Sequence, residues 1–531
     1  MFYQLIVEKD VSIKIRDGSV VYADVFRPAD SGEFPVIMTL GPYPKDIHFS
    51  RWIPGAYENL PEKGPYMHWE TVNPEWWVPQ GYVVIRIDTR GSGKSPGRLS
   101  VLSRQEAEDF YDAVEWAGTR PWSNGKVAVM GVSYFAMNSW RVAALQPPHL
   151  AAIVPWEGAA DGYRDANRHG GIYSSGFTQA WAKNVSKYEH DKGKDPAGEP
   201  PRQDMPPLYP ELFTSAQERN NPNITDIQVP LLSAGNWGGA GLHLRGNIEG
   251  YVGADSKHKY LQVHVGDHVT PFYSLEGRLV QKRFLEQWLK GIDTGITREP
   301  PVKLAIRYGH DRYEWRYEKE WPIARTQWTK YYLDASKGSL GTKPPREENS
   351  VSFEADPGAA KTRVIFSTAP FEQDTEVTGP INLHLWVSSS LDDADLFVII
   401  RNFGPDNSEV TFLGPSPLGN TVAAAYGWLR LSHRKLDPQR SRPYRPYHTH
   451  DELQKVRPGE IIPVEIEIWP TSVVFERGHR LMLEVGSKDD DSTGFTFIHA
   501  DPRDRIKTGT NLIHTGGSFN SYLLLPIIPR P

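Results

Sequence analysis

Ser133 lies in "KVAVMGVSYFAMNSWRVAAL", Lys126 to Leu145, between an apolar β-type run and a segment with helical spacing, flanked by the small residues Gly131 and Ala136. Two readings fit these residue types. In a nucleophile elbow a strand turns so sharply into a helix that the serine hydroxyl stands free above the sheet. In an ordinary strand-to-helix turn the serine caps the helix. A serine hydroxyl is a weak nucleophile until a base within hydrogen-bond reach takes its proton. The elbow reading therefore needs an imidazole and a set of oxyanion donors elsewhere in the chain.

The imidazole expected is His268 in "VHVGDHVTPFYS", just past the last strand of an α/β run, where a loop would hold the ring over the sheet edge shared with Ser133. His264 falls within that strand and reads as a packed residue. His243 is another histidine that could serve as base. A bland reading of His268, a surface loop histidine, fits the same residues. The reaction also needs donors aimed at the oxygen that becomes negative, each worth ~10²- to 10³-fold in rate. The backbone N–H of Tyr134, the residue after the serine, is one. The second should come from the loop after an early strand, where "MTLGPYPKDIHF" puts Tyr43, a residue that could equally be there for packing.

These residues need a sheet to position them. "FPVIMTLGP", "YVVIRIDTRG", "KVAVMGVS", "AAIVPWEG", "VPLLSAGNW" and "KYLQVHVGDH" are short β-rich runs suited to strands buried on both faces. Helical segments lie between them. In "QEAEDFYDAVEWAG" Ala107, Phe110, Val114 and Ala117 recur at helical spacing, with acids in the first turn. Alternating strands and helices predict an α/β domain over residues 1–300. The stretch at about 159–226, which includes the proline-rich "KDPAGEPPRQDMPPLYPE", reads as an inserted cap or lid. After the "TGITREPPVKL" junction the pattern changes to strict alternation, as in "INLHLWVSS", "VEIEIW" and "RLMLEV". Residues 301–531 are expected to form an antiparallel β-sandwich of jelly-roll type.

Composition narrows the classes. With 531 residues, 39% hydrophobic and 23% charged, the chain is that of a globular protein of more than one packed unit. The 59 basic and 65 acidic residues give a net charge of −6 with no dense basic stripe, so nucleic acid is not an expected partner. Zero cysteines exclude disulfides, a thiol nucleophile and cysteine metal sites. No run approaches the ~20 apolar residues of a membrane span, and the start lacks a leader pattern. The expectation is a cytoplasmic protein without a membrane partner, with a homo-oligomer left open. Two other clusters read as loops: His448, His450 and Asp451 in "YHTHDE", which lacks a third clear histidine for a metal, and Asp489, Asp490 and Asp491. No metal is expected.

The combination of "GPYPKD", "DTRGSGKSPG", "EAEDFYDAVEWAGTRPWSNGKVAVMGVSY" and a β-rich end in "SYLLLPIIP" resembles the CocE/NonD hydrolases, the cocaine esterase and X-Pro dipeptidyl-peptidase group of serine hydrolases. The resemblance spans most of the chain. It implies an α/β-hydrolase domain with a helical cap and a C-terminal jelly roll, and no cofactor. It further implies Ser133 as nucleophile, His268 as general base, and the Tyr43 hydroxyl with the Tyr134 amide as oxyanion hole. The implied substrates are small-molecule esters or amides and, in one branch, X-Pro peptides.

Two departures stand out. Ala136 replaces the usual glycine two residues after Tyr134, a change the turn should tolerate. The family's triad acid follows the next-to-last strand in a G-W-x-D-like context, but "AGNWGGAGLHLRGN" has Gly238 there, and Leu231 to Ile248 holds no carboxylate. A triad acid orients the imidazole and stabilises its charged form. Glu157, at the end of the preceding strand, is the expected substitute and Asp161 the alternative; a lid-anchoring role for Glu157 fits as well. The expected function is a serine hydrolase acting on carboxylic esters. An X-Pro dipeptidyl-peptidase is the enzymatic rival. The missing acid keeps a third class open, a catalytically retired ligand- or carbohydrate-binding protein.

Overall fold

The computed structural model describes residues 3–190, 209–490 and 498–529. Strands β1 (Leu5–Lys14), β2 (Val20–Pro28), β3 (Phe34–Gly41), β4 (Val83–Asp88), β5 (Ser123–Val132), β6 (Leu150–Trp156), β7 (Leu231–Asn236) and β8 (Lys259–His264) form a sheet in the order 1-2-4-3-5-6-7-8. β1 and β2 pair antiparallel, as do β2 and β4, and from β4 to β8 the strands are parallel. The continuous apolar runs follow from this, because each central strand has a helix layer on both faces. Val36, Met38, Val127 and Val129 share one core with Phe110, Val114 and Ala117 of α1 (Arg104–Gly118). Their neighbours Ile37, Ala128 and Met130 share the other with Phe284 and Leu285, from a helix at Leu275–Leu289. Each such side chain contributes roughly 1.5–3 kcal/mol when fully buried.

α2 (Tyr134–Ala143) follows β5 directly, and α3 (Ser175–Val185) lies in the segment between β6 and β7, beside a short helical turn at Gly162–Asn167. Residues 194–208 of the proline-rich stretch lie outside the described residues. Among the described residues no helix is long and apolar enough to cross a membrane.

Past residue 300 the described residues form strands, with one short helical turn at Leu431–His433, yet the hydrogen bonding does not break. β9 (Val302–Arg307) pairs parallel with β8 and antiparallel with Tyr313–Glu318. Strand Thr375–Ser389 lies between Ile462–Phe475 and Tyr522–Ile528, while Asp395–Phe403 lies between Ala425–Arg430 and Arg480–Gly486. Pairings through Arg363–Thr368, Ser339–Gly341 and Gln327–Asp334 join the two groups on one side, and Gly427 opposite Ile468 joins them on the other. Among the described residues this ring of strands closes on itself, so its own members have partners on both sides. The alternation in "RLMLEV" points Leu481, Leu483 and Val485 into its core, all fully buried.

The β half is docked against the hydrolase half where the catalytic loops emerge. His268 N–H donates to Pro415 O at 3.0 Å. Arg245 of the hydrolase half pairs with Glu467 of the β half at 2.9 Å.

Candidate active site

Ser133 has φ 56° and ψ −112° at the junction of β5 and α2, and its side chain makes no capping bond. A left-handed φ on a non-glycine residue is strained and persists only where its surroundings hold it. Here the Ser133 N–H donates to both Trp156 O and Glu157 O, each at 3.0 Å. Absent side chains make the room: an added Cβ on Gly131 would meet Phe135, and one on Gly158 would overlap Ala136. The missing Gly158 side chain explains how Ala136 fits.

Glu157 shares this junction. It is fully buried with φ 48°, and its N–H donates to Ala234 O at 2.7 Å. Its Oε2 accepts from His268 Nδ1 at 2.8 Å, and its Oε1 accepts from Asn236 Nδ2 at 3.2 Å. The carboxylate is therefore oriented from the neighbouring strand β7 and faces the imidazole, not the cap. Asp161 is placed differently: it caps the 162–167 turn, ion-pairs with Arg164 at 2.7 Å and accepts from Asn221, so it does not meet His268. Gly238 sits under the β half, where an added Cβ would overlap the Leu413 carbonyl oxygen.

Two features were not legible in the sequence. The Ser133 hydroxyl shares a 3.2 Å hydrogen bond with His243 Nε2, not with His268. His243 reaches it from the loop after β7, the loop that carries Gly238, and its ring stacks on that of His268 with centroids 5.2 Å apart and planes 12° apart. On its Nε2 side His268 donates to Glu70 Oε1 at 3.0 Å. Glu70 is 2% exposed, has φ 61°, and no sequence pattern marks it. His264 is buried beneath, stacked on Trp156 at 5.3 Å, as the packed reading expects.

The electrostatics of the cluster point one way. Burial pushes the Glu70 and Glu157 carboxyls up, against the pull of His268. Burial pulls His268 down, but Glu157 and Glu70 outweigh it and raise it to about 10. Three groups that all hold protons more tightly than in water keep one proton among them well above pH 7. Burial and the nearby His268 charge drive His243 well below its ordinary value, so it is neutral.

Above the serine lies a cavity of about 210 Å³, lined mainly by apolar groups, including Trp52, Trp69, Phe177 and Trp181, with Pro415 and Pro417 contributed by the β half. Tyr43 borders it with its hydroxyl accepting from Trp181 Nε1 of α3 at 2.8 Å. No acceptor among the described residues takes the Tyr43 proton, and burial keeps that hydroxyl un-ionised. Tyr134 is anchored by its hydroxyl donating to Glu106 at 2.6 Å, which leaves its amide, at the first position of α2, among those a helix does not use.

Donor atoms of Glu157, His243 and His268 fall within 4.8 Å of one another, but the parallel rings do not converge on a common point and Glu157 already takes the His268 Nδ1 proton. Asp10, Asp24 and Asp46, also grouped, hold the ammonium groups of Lys9, Lys45 and Lys94. In "YHTHDE" His448 donates to Glu465 O, His450 meets His433 at 3.0 Å, and Asp451 pairs with Lys435. Asp489 accepts from His499 and Asp490 pairs with Arg401, while Asp491 lies outside the described residues.

Residues 17–270 match the family described as X-Pro dipeptidyl-peptidase (S15 family), and residues 294–524 match the X-Pro dipeptidyl-peptidase C-terminal non-catalytic domain. The chain is similar to a solved CocE/NonD family hydrolase from Staphylococcus aureus, with 33% identity, a TM-score of 0.91, and 99% of this chain and 94% of that one covered. It is 26% identical to a cocaine esterase from Rhodococcus sp. over 99% of each chain. It is 21% identical to a putative Xaa-Pro dipeptidyl-peptidase from Streptomyces avermitilis, covering 89% of this chain and 77% of that one.

Proposed function

The chain belongs to the CocE/NonD hydrolase family, and we propose that it is a serine hydrolase cleaving carboxylic esters through an acyl-enzyme on Ser133. The observation that carries this reading is the strained Ser133 elbow beneath an apolar cavity and beside the Glu157–His268 pair. On this reading Ser133 Oγ attacks the acyl carbon as its proton passes to His268 Nε2. Glu157 stabilises the imidazolium that forms and fixes the ring through Nδ1. The Tyr43 hydroxyl and the Tyr134 amide donate to the oxyanion. The imidazolium then returns the proton to the departing alkoxide, the C–O bond breaks, and water repeats the sequence on the acyl-enzyme.

The lining supports an ester with an apolar acyl group, since Trp52, Trp69, Phe177 and Trp181 dominate the cavity. An X-Pro dipeptidyl-peptidase is the second reading, favoured by the S15 match. A fluorophosphonate probe, which labels only an activated serine, should modify the native protein and not Ser133→Ala. A panel of ester chain lengths beside an Ala-Pro anilide separates the two enzymatic readings. A folded protein that neither labels nor turns over any member is a binding protein, and the proposal fails.

A further inference from the structure

The resting site holds its two reacting groups apart. The inference rests on the serine-hydrolase reading above and concerns Glu70, which that mechanism does not use. Three contacts fix Glu70 in place. Val132 N–H donates to Glu70 O at 3.0 Å, Thr71 forms a bridge with Gly131, and the Tyr273 hydroxyl donates to Thr71 O at 2.8 Å. The first two tie Glu70 to the strand that ends at Ser133; the third ties it to the short helix just past His268. Its carboxylate is thereby set between serine and imidazole. Oε1 takes the His268 Nε2 proton, and Oε2 is buried at the cavity wall, where the Ser133 hydroxyl and the Trp69 side chain also bear on the carboxylate. On the other side His243 Nε2 engages Ser133 Oγ.

A general base must offer its lone pair to the hydroxyl it deprotonates. Here the Nε2 that should receive the serine proton is bonded to a carboxylate, and the hydroxyl is bonded to another ring. We propose that Glu70 is a positioning residue that, with His243, latches the resting site: Glu70 holds His268 Nε2 and His243 holds Ser133 Oγ until bound substrate displaces them. The groups facing His268 are Glu157 from the end of β6, Glu70, His243 from the loop after β7 and His264 from β8; Asp267 of its own loop acts on Glu157, and Tyr43 and Tyr273 face Glu70. Of the two carboxylates bonded to the ring, Glu157 also stabilises the imidazolium during turnover, whereas Glu70 opposes its formation of a free base.

The sign of the effect follows. Neutral His268 is the active form, so a carboxylate that favours the imidazolium moves the acid limb of the rate profile upward. Glu70→Gln removes that charge while keeping the shape, and below both limbs the neutral fraction rises about tenfold for each unit by which the limb falls toward the ordinary ~6.5 of histidine. The experiment is kcat/KM of a non-ionising ester from pH 5 to 11, with fluorophosphonate labelling rates and thermal melts, for the native protein, Glu70→Gln, Glu70→Asp and His243→Asn. The expected result is a lower limb in Glu70→Gln, a severalfold or greater rise in kcat/KM at pH 7, and faster labelling of Ser133 in His243→Asn. Should Glu70→Gln fail to fold, Glu70→Asp, which draws the carboxylate back from Nε2 by one methylene but keeps its charge, is expected to give a smaller shift in the same direction. An unmoved limb in the folded Glu70 variants, a fall at every pH, or slower or unchanged labelling in His243→Asn overturns the latch. If the native protein labels and turns over ester but the limb stays, only the latch is lost; if it does neither, the hydrolase reading fails as well.

Discussion

The Leu413 carbonyl oxygen occupies the space that a side chain on Gly238 would need, with Gly414 just behind it. The loop of the β half that continues to Pro415, the acceptor of the His268 amide, thus closes the position at which the family pattern puts its acid. On the proposed reading, glycine at 238 and a carboxylate at Glu157 are two sides of one arrangement. Restoring Asp at Gly238 is accordingly expected to harm the protein. Forcing atoms against backbone costs about 1–3 kcal/mol, and the displaced loop would drag His268 with it. Gly238→Asp should lower both the melting temperature and kcat; a variant with native melting and raised kcat would show that the loop yields.

Ser133→Ala tests the nucleophile. The elbow is held by backbone bonds from the Ser133 amide, not by its hydroxyl, so the fold should survive with an unchanged melt. Turnover and fluorophosphonate labelling should vanish together. Retention of more than a few per cent of native esterase activity in the folded variant would sink the assignment.

Glu157→Gln keeps the shape but removes the charge opposite His268 Nδ1. Loss of kcat should approach the ~10⁴-fold seen when a triad carboxylate becomes an amide. Asp161→Asn, which weakens the Arg164 pair, should act on the melt and leave kcat within severalfold. Measured side by side, a near-native rate for Glu157→Gln moves the acid elsewhere.

Tyr43→Phe removes a donor that acts on the transition state, so kcat should fall by ~10²- to 10³-fold with little change in KM. Trp181→Phe, which takes away the hydrogen bond that aims the Tyr43 hydroxyl, should give a smaller fall of the same kind. A change confined to KM in Tyr43→Phe would reduce it to a lining residue.

Stability should report on His268 independently of turnover. Its pKa is raised to about 10 in the fold, because Glu157 and Glu70 outweigh the burial that pulls it down, against an ordinary value of ~6.5 in the unfolded chain. A raised folded pKa contributes stability that is fully present below ~6.5 and lost as pH climbs to about 10. Denaturant melts of native protein and His268→Gln should therefore differ most at pH 6 and converge toward pH 10. A difference that is constant over this window would mean that the imidazole is not held charged.

The sequence alone determined those features that local chemistry encodes. Six apolar runs closing in turn residues specify a parallel sheet, the G-V-S-Y junction specifies an elbow, and the acid-free stretch around Gly238 directs attention to Glu157 at the next strand end. Such signals survive in one dimension because strand burial, helix spacing and tight turns depend on near neighbours. What only the tertiary structure decided are the contacts made across long separations. Glu70 and His268 meet over 198 residues, Ser133 and His243 over 110, and the β-half loop that closes Gly238 comes from the far side of the domain junction. A glutamate in "MHWETVNP" has no spacing that distinguishes it from a surface acid. Its proposed role arises because the bridge between Thr71 and Gly131 buries its carboxylate beside the serine, where low dielectric strengthens its hold on the imidazole.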